Sequence, residues 1–311
     1  MNKKDIPDGV WPVMLTPFND DLTINYKAYE SLIEFYIEHG ISGLFACCGS
    51  SEVEKLTADE MLDIIDFTIS RVNGRVPVAG GAILFDDISR QIDLVKSIYD
   101  AGVDAVILAA NQFSLEHDSS DTWISRFERI LDNTGDIPLG TYELPTPWHR
   151  LISTDEFKWM ASSGRFVFHK DTSCSLKSLR EKIEITASGG PKVFTAHSPS
   201  LLEALRLGAN GYCGTGANFV PELYSWLCAN FEQEPEMAEE IQRNLADFER
   251  RFDTCDQNYP ANSKAFLNLR GVHMKPLCRL KVPAVTQEHI KILSAVMSDF
   301  KKLRVLAMAQ K

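Results

Sequence analysis

The sequence has little that would suit a membrane, a disulfide scaffold or a nucleic acid. No apolar run in its 311 residues approaches the roughly 18 that a membrane-crossing helix requires. The opening residues Met1-Asn2-Lys3-Lys4-Asp5 lack the apolar stretch of a secretory leader. No Cys-x-x-Cys pair is present. The seven cysteines (Cys47, Cys48, Cys174, Cys213, Cys228, Cys255 and Cys278) are odd in number and irregular in spacing. Neither a zinc ribbon nor a disulfide framework fits that pattern, and reduced thiols in the cytoplasm do. Positive charge is scarce: 32 Lys and Arg against 43 Asp and Glu give a net charge of −11. That balance argues against general nucleic-acid binding, which needs a basic footprint. It does not exclude a small anionic substrate, because one pocket can be locally positive on an acidic protein. A Gly-rich phosphate turn after the first strand is also missing, since Leu15-Thr16-Pro17-Phe18 stands there.

What is present is alternation. Short apolar runs at Gly9–Leu15, Gly43–Cys47, Val76–Gly80, Asp104–Leu108, Ile137–Tyr142, Phe166–Lys170, Lys192–Thr195 and Gly211–Gly214 read as eight strands. Most are continuously apolar, as expected for strands covered on both faces. The segments between them carry helical spacing: Tyr29, Leu32, Ile33, Tyr36 and Ile37, and again Ile88, Ile92, Val95 and Tyr99. Thr57-x-x-Glu60 and Ser153-x-x-Glu156 fit capping boxes, and Ser198-Pro199 places a capping serine before a first-turn proline. Eight strand-then-helix units in about 230 residues predict an α/β fold, a (β/α)8 TIM barrel. Residues 1–234 then form the catalytic barrel, and residues 235–311 a C-terminal helical extension packed on it. Met237, Ile241, Leu245, Phe248 and Phe252 make one apolar stripe there; Ile290, Leu293, Val296, Phe300 and Leu303 make another. Between the stripes, Asn258–Pro283 holds three prolines and reads as irregular.

Barrel enzymes build their sites at the C-terminal ends of the strands. Two of those ends stand out: Lys170 closes an apolar run, and Tyr142 closes the run before it. An amine nucleophile attacks a carbonyl only when unprotonated, and a desolvated pocket favours that form. Each residue alone also fits a rim side chain, solvated or packed; together, on consecutive strands, they suggest a nucleophile with a proton carrier. Gly49-Ser50-Ser51-Glu52 follows the second strand. Small hydroxyl residues and exposed N–H groups suit a carboxylate, although a plain helix-capping loop has the same composition. His197 lies at a strand end without an identifiable partner. Glu116-His117-Asp118 reads as a loop, because three consecutive ligands cannot converge on one ion without unusual backbone. Gly211-x-x-Gly214-x-Gly216 lacks the context of a dinucleotide site and opens space at the mouth.

At these residues the chain resembles the dihydrodipicolinate synthase/N-acetylneuraminate lyase family, from about Asp8 to Phe231. Gly9–Phe18 is similar to the family's opening strand and Thr-Pro-Phe turn, and Gly43–Thr57 to its Gly-Thr-Thr-Gly-Glu region. Tyr142-Glu143-Leu144-Pro145 resembles Tyr-Asn-x-Pro, and His169-Lys170-Asp171-Thr172-Ser173 resembles Lys-Asp/Glu-x-Ser/Thr. Gly208–Gly211, with Asn218 and Pro221, resembles the last-strand signature.

The resemblance implies class I aldolase chemistry. Lys170 would form a Schiff base with pyruvate or another 2-oxo acid, and Tyr142 would shuttle protons. Gly49, Ser50 and Ser51 would hold the carboxylate, and Cys213 would line the pocket. No metal and no organic cofactor is implied; a homotetramer or homodimer is. Two regions depart from the family pattern, the first at the 2-oxo acid carboxylate, where one contact is lost or rebuilt from Ser51, and the second on the acceptor side. The first hydroxyl position of the central motif is Gly49, and its later glycine is Ser51. Where dihydrodipicolinate synthases carry an arginine after the tyrosine motif stands Pro147, and Ala109–Phe113 lacks their further tyrosine. The expected activity is therefore a pyruvate-dependent aldolase or lyase acting on a 2-keto-3-deoxy sugar acid or a related 2-oxo acid. A Schiff-base dehydratase, a dihydrodipicolinate synthase-like condensation and a non-catalytic 2-oxo-acid-binding homologue are the alternatives.

Overall fold

A computed structural model describes residues 6–85, 87–187, 189–253 and 258–308; Cys255 lies outside them. Eight parallel strands form one sheet: β1 Gly9–Val10, β2 Leu44–Ala46, β3 Val78–Gly81, β4 Ala105–Ala109, β5 Leu139–Tyr142, β6 Phe166–Asp171, β7 Lys192–Thr195 and β8 Gly211–Tyr212. They run in the order β1-β8-β7-β6-β5-β4-β3-β2, and a parallel bridge between Val13 and Phe45 brings the first strand to the second. This is the (β/α)8 TIM barrel. Helices follow the strands: α1 Tyr26–Glu38, α2 Ala58–Val72, α3 Ile88–Asp100, α4 Ser120–Asn133, α5 Thr154–Ser163, α6 Leu176–Thr186, α7 Leu201–Arg206 and α8 Pro221–Asn230. Three more, α9 Pro235–Asp253, α10 Ala261–Leu269 and α11 Gln287–Met308, complete the chain. No helix among the described residues is long and apolar enough to cross a membrane.

The capping boxes form as expected. Thr57 Oγ1 accepts from the Glu60 N–H while Glu60 returns a carboxylate to the Thr57 N–H, and Ser153 and Glu156 do the same. Three local readings change. The first strand is only Gly9–Val10, with an isolated bridge at Val13, because Pro12 has no N–H to give a ladder. Ser198 does not cap. His197 precedes a short 3-10 turn instead, and the Ser198 hydroxyl meets the Tyr224 hydroxyl at 2.6 Å. Asn258–Pro283 is not wholly irregular, since α10 begins after Pro260. Its residues Ala261–Leu267 are buried nearly all round, so no one-sided stripe marks it.

The two C-terminal stripes face the core, with Ile241, Leu245, Phe248 and Phe252 buried on α9 and Leu293, Val296, Phe300 and Leu303 on α11. Phe252 stacks on Phe219 with ring centroids 3.7 Å apart. A buried ion pair ties this region to the barrel. Lys264 Nζ on α10 lies 2.7 Å from Glu52 Oε1, with both side chains fully buried. The other Glu52 oxygen accepts the N–H groups of Arg279 and Leu280. Removing one member of a buried pair strands the other charge away from water, at about 3–5 kcal/mol. We therefore expect Glu52→Gln to lower stability by about that amount in urea unfolding. A loss below about 1 kcal/mol, the range of an exposed pair, would show that the pair does not hold the two regions together.

Candidate active site

Side chains on a strand point alternately to its two faces, so β6 sends Phe168 and Lys170 inward and His169 and Asp171 outward. Inside the barrel, aromatic rings from four strand regions form a floor. Phe168 stacks on Phe194 at 4.5 Å, with Trp11 edge-on to Phe168 at 5.2 Å and Phe45 at 6.3 Å from it. Lys170 sits one layer above. Tyr142 is its register partner across β5 and β6, and Lys170 Nζ lies 3.9 Å from the Tyr142 ring centroid. The two sequence-predicted residues are brought together.

Lys170 is 3% exposed. Its amine has no carboxylate or hydrogen-bond partner among the described residues. Burial lowers its pKa below the ordinary 10.5, against a weaker opposing influence of Cys213 and Cys48. The ring face attracts an ammonium by roughly 0.5–2 kcal/mol. Stripping an ion of water costs several kcal/mol, so desolvation wins and favours the nucleophilic free amine. Burial also holds the Tyr142 phenol well above its usual range, so the ring stays protonated. Cys213 is fully buried beside them, its thiol pushed up by burial to about 12.

Gly49–Ser51 forms a 3-10 turn at the end of β2. The N–H groups of Gly49 and Ser50 have no partner among the described residues, whereas Ser51 N–H bonds back to Cys48. The Ser51 hydroxyl is spent internally, donating to Met14 O at 2.6 Å and accepting from Cys48 N–H at 3.1 Å. Of the three residues expected to hold a carboxylate, Ser51 therefore has its hydroxyl already committed within the protein. Ser50 Oγ is 2.6 Å from the Tyr259 hydroxyl, which also accepts from Asn218 Nδ2 at 3.0 Å. At Gly49 an added Cβ would stand 3.2 Å from the Tyr142 oxygen and 3.0 Å from Leu144. Glycine here keeps the phenol free of a protein side-chain partner.

On the outer face of the same strands, Lys182 Nζ of α6 is 2.6 Å from Glu143 Oε1 and 2.5 Å from Asp171 Oδ2. Burial pulls the Lys182 pKa down, but the two carboxylates outweigh it and hold the ammonium charged. Glu143 also accepts the N–H groups of Ile152 and Thr172. His169 is kept neutral by burial and bonds Thr141 Oγ1 at 2.8 Å. Glu143, His169 and Asp171 converge like metal ligands, yet the Lys182 ammonium fills the place between the two carboxylates. Elsewhere, His197 has a partner after all, Ser200 Oγ at 2.7 Å. Asp118 is committed to the Leu115 N–H and Arg126. A cavity of about 710 Å³ lined by Phe18, Asp20, Asn25, His273 and Lys275 contains neither Lys170 nor Tyr142.

Sequence reasoning missed Cys48, Tyr259 and Lys182. Cys48 could have been found as the residue before the Gly49 turn. Nothing local marks Tyr259 or Lys182, which arrive from distant segments.

A (β/α)8 barrel with a desolvated lysine and a tyrosine on adjacent strand ends defines the class I, Schiff-base aldolases and lyases. The chain belongs to the Dihydrodipicolinate synthetase family, whose profile matches residues 7–300. It is 26% identical over 301 residues to the 4-hydroxy-tetrahydrodipicolinate synthase of Oceanobacillus iheyensis, covering 96% of this chain and 98% of that one. It is equally 26% identical to the enzyme of the same name from Methanosphaera stadtmanae, covering 94% and 98%. Among solved structures, YagE of Escherichia coli K12, a prophage protein of the dihydrodipicolinic acid synthase family in complex with pyruvate, superposes with a TM-score of 0.86. It has 23% identity, covering 94% of this chain and 98% of that one. A monomeric dihydrodipicolinate synthase variant superposes at 0.85, with 20% identity over 95% and 97%.

The lowered Lys170 pKa has a measurable sign. Folding favours the neutral amine, so below the folded pKa its burial costs stability, and the cost is relieved as pH rises toward 10.5. We expect Lys170→Met to be more stable than the parent at pH 7 in urea unfolding, with the gap closing as the pH approaches 10.5. Equal stability at both pH values would show that the amine is not desolvated.

Proposed function

We propose that this chain is a pyruvate-dependent aldolase or lyase that makes or breaks a carbon–carbon bond in a 2-keto-3-deoxy sugar acid. One observation carries the reading: the Lys170 amine is buried without a counter-ion against the Tyr142 ring. The free amine adds to the keto carbon of the keto-deoxy acid in cleavage, or of pyruvate in synthesis, and loss of water leaves a protonated imine. That imine accepts the electron pair released when the bond beside it breaks, or supplies an enamine when a bond forms. Tyr142, protonated and with no hydrogen-bond partner for its hydroxyl among the described residues, passes a proton to or from the aldol oxygen. The Gly49 and Ser50 N–H groups and the Ser50 hydroxyl receive the substrate carboxylate, while Cys213 lines the pocket. Neither a metal nor an organic cofactor enters this scheme.

A second reading is the condensation named for the curated relatives, 4-hydroxy-tetrahydrodipicolinate synthesis. Pro147 on an exposed loop and Asn111 committed to backbone carbonyls supply neither an arginine nor a tyrosine to an acceptor, which favours the sugar-acid reading. Product analysis separates them: pyruvate released from a keto-deoxy acid supports the first, and water loss without cleavage a dehydratase. The barrel through residue 234 and the helical region 235–311, which supplies Tyr259, belong to the same proposal. So does assembly as a homotetramer or homodimer, which would cover the exposed Phe85 and Leu115 and which sedimentation would test.

Incubation with pyruvate and borohydride is expected to add one reduced adduct, located on Lys170 by mass spectrometry. Lys170→Ala should abolish both adduct and turnover; retained aldol activity would rule out the imine. Tyr142→Phe should still trap pyruvate but turn over roughly 10²–10⁴-fold more slowly. An unchanged rate would remove Tyr142 from the chemistry.

A further inference from the structure

The loop after β5 holds a histidine whose hydrogen-bonding state is set by its neighbours. His149 Nε2 is 2.8 Å from Thr172 Oγ1. The single Thr172 hydroxyl proton is already given to Glu143 O at 2.7 Å, so His149 must donate through Nε2–H. Its Nδ1 is then the acceptor, and it has no partner among the described residues. Thr172 lies two residues beyond Lys170, and Glu143 one beyond Tyr142. His149 is therefore tied to the first residues of the two loops that leave the strands of the reactive pair.

The loop carrying it is pinned. Asn111 Nδ2 reaches the carbonyls of Leu144, Thr146 and Trp148 at 3.1, 2.7 and 2.8 Å, and Thr146 Oγ1 donates to Glu54. The loop's own cation is unavailable to a ligand: Arg150 is bound to Glu156 at 2.5 Å and lies over the Trp123 ring. Lys182 is likewise committed to Glu143 and Asp171. Desolvation lowers the His149 pKa from its ordinary 6.5, against the opposing pull of the Asp171 carboxylate. Among the described residues, the cations Arg150 and Lys182 are thus both committed to protein carboxylates, and the loop offers the unpartnered His149 Nδ1.

We infer that His149 is the specificity-determining residue for the acceptor, its Nδ1 taking a hydrogen bond from a hydroxyl of a hydroxyaldehyde rather than its ring pairing with a carboxylate. The inference rests on the aldolase reading above. The test compares aldol addition of pyruvate to D-glyceraldehyde and to propionaldehyde, which has the same carbon count and no hydroxyl. We expect His149→Ala to lower the glyceraldehyde-to-propionaldehyde ratio of kcat/KM roughly tenfold, about the worth of one neutral hydrogen bond. The loss should fall mainly on the glyceraldehyde KM. His149→Gln, which keeps both a donor and an acceptor, should recover part of the ratio, and both variants should still form the borohydride-trapped adduct on Lys170. Equal losses on both aldehydes, or no loss, would overturn the assignment. So would a parent enzyme that traps pyruvate but condenses glyceraldehyde no better than propionaldehyde. Failure of the parent to trap pyruvate would instead defeat the Schiff-base reading, and this inference with it.

Discussion

The site depends on an amine held in an apolar barrel without a counter-ion. A lysine ammonium in water is satisfied, whereas the same group above Phe168 and Phe194 is not. The strand's two-residue period forces this, since Lys170 points the same way as Phe168, into the lumen. The carboxylates next along the two strands, Glu143 and Asp171, belong to the opposite face, where they hold Lys182. Had Lys170 shared a face with them, an ion pair would have opposed the lowering of its pKa by burial.

Those carboxylates need their own partner, and Lys182 supplies it from α6. The structure thus separates two lysines by one strand thickness. Lys182 is charged and clamped between two acids; Lys170 lies against the Tyr142 ring with its pKa lowered by burial. The clamp also carries the backbone N–H groups of Ile152 and Thr172, so the loops leaving β5 and β6 start from fixed points. A buried pair of this kind adds little net stability compared with a well-packed apolar core. What it contributes here is geometry at the two strand ends that hold Tyr142 and Lys170. Glu52 and Lys264 play the corresponding part where the Gly49 turn meets the C-terminal helices.

Much of this was legible in the chain. Continuous apolar runs identified all eight strands because parallel barrel strands are covered on both faces, and capping residues located α2 and α5. Lys170 and Tyr142 were legible because each is a polar residue closing an apolar run. The short first strand was less so, since apolar character around Pro12 says nothing of its missing N–H. The helix α10 escaped because burial on every side erases the one-sided pattern that marks a helix.

By itself, the sequence determined the strand–helix alternation that makes a barrel and the two polar residues that close consecutive strands. These follow from local periodicity, which reaches only a few residues along the chain. Tertiary structure alone decided that Lys182 neutralises Glu143 and Asp171, that Tyr259 reaches Ser50 across 209 positions, and that Ser51 turns its hydroxyl to Met14. Those contacts join segments far apart in the chain, and desolvation, which sets the state of Lys170, exists only once the lumen has closed around it.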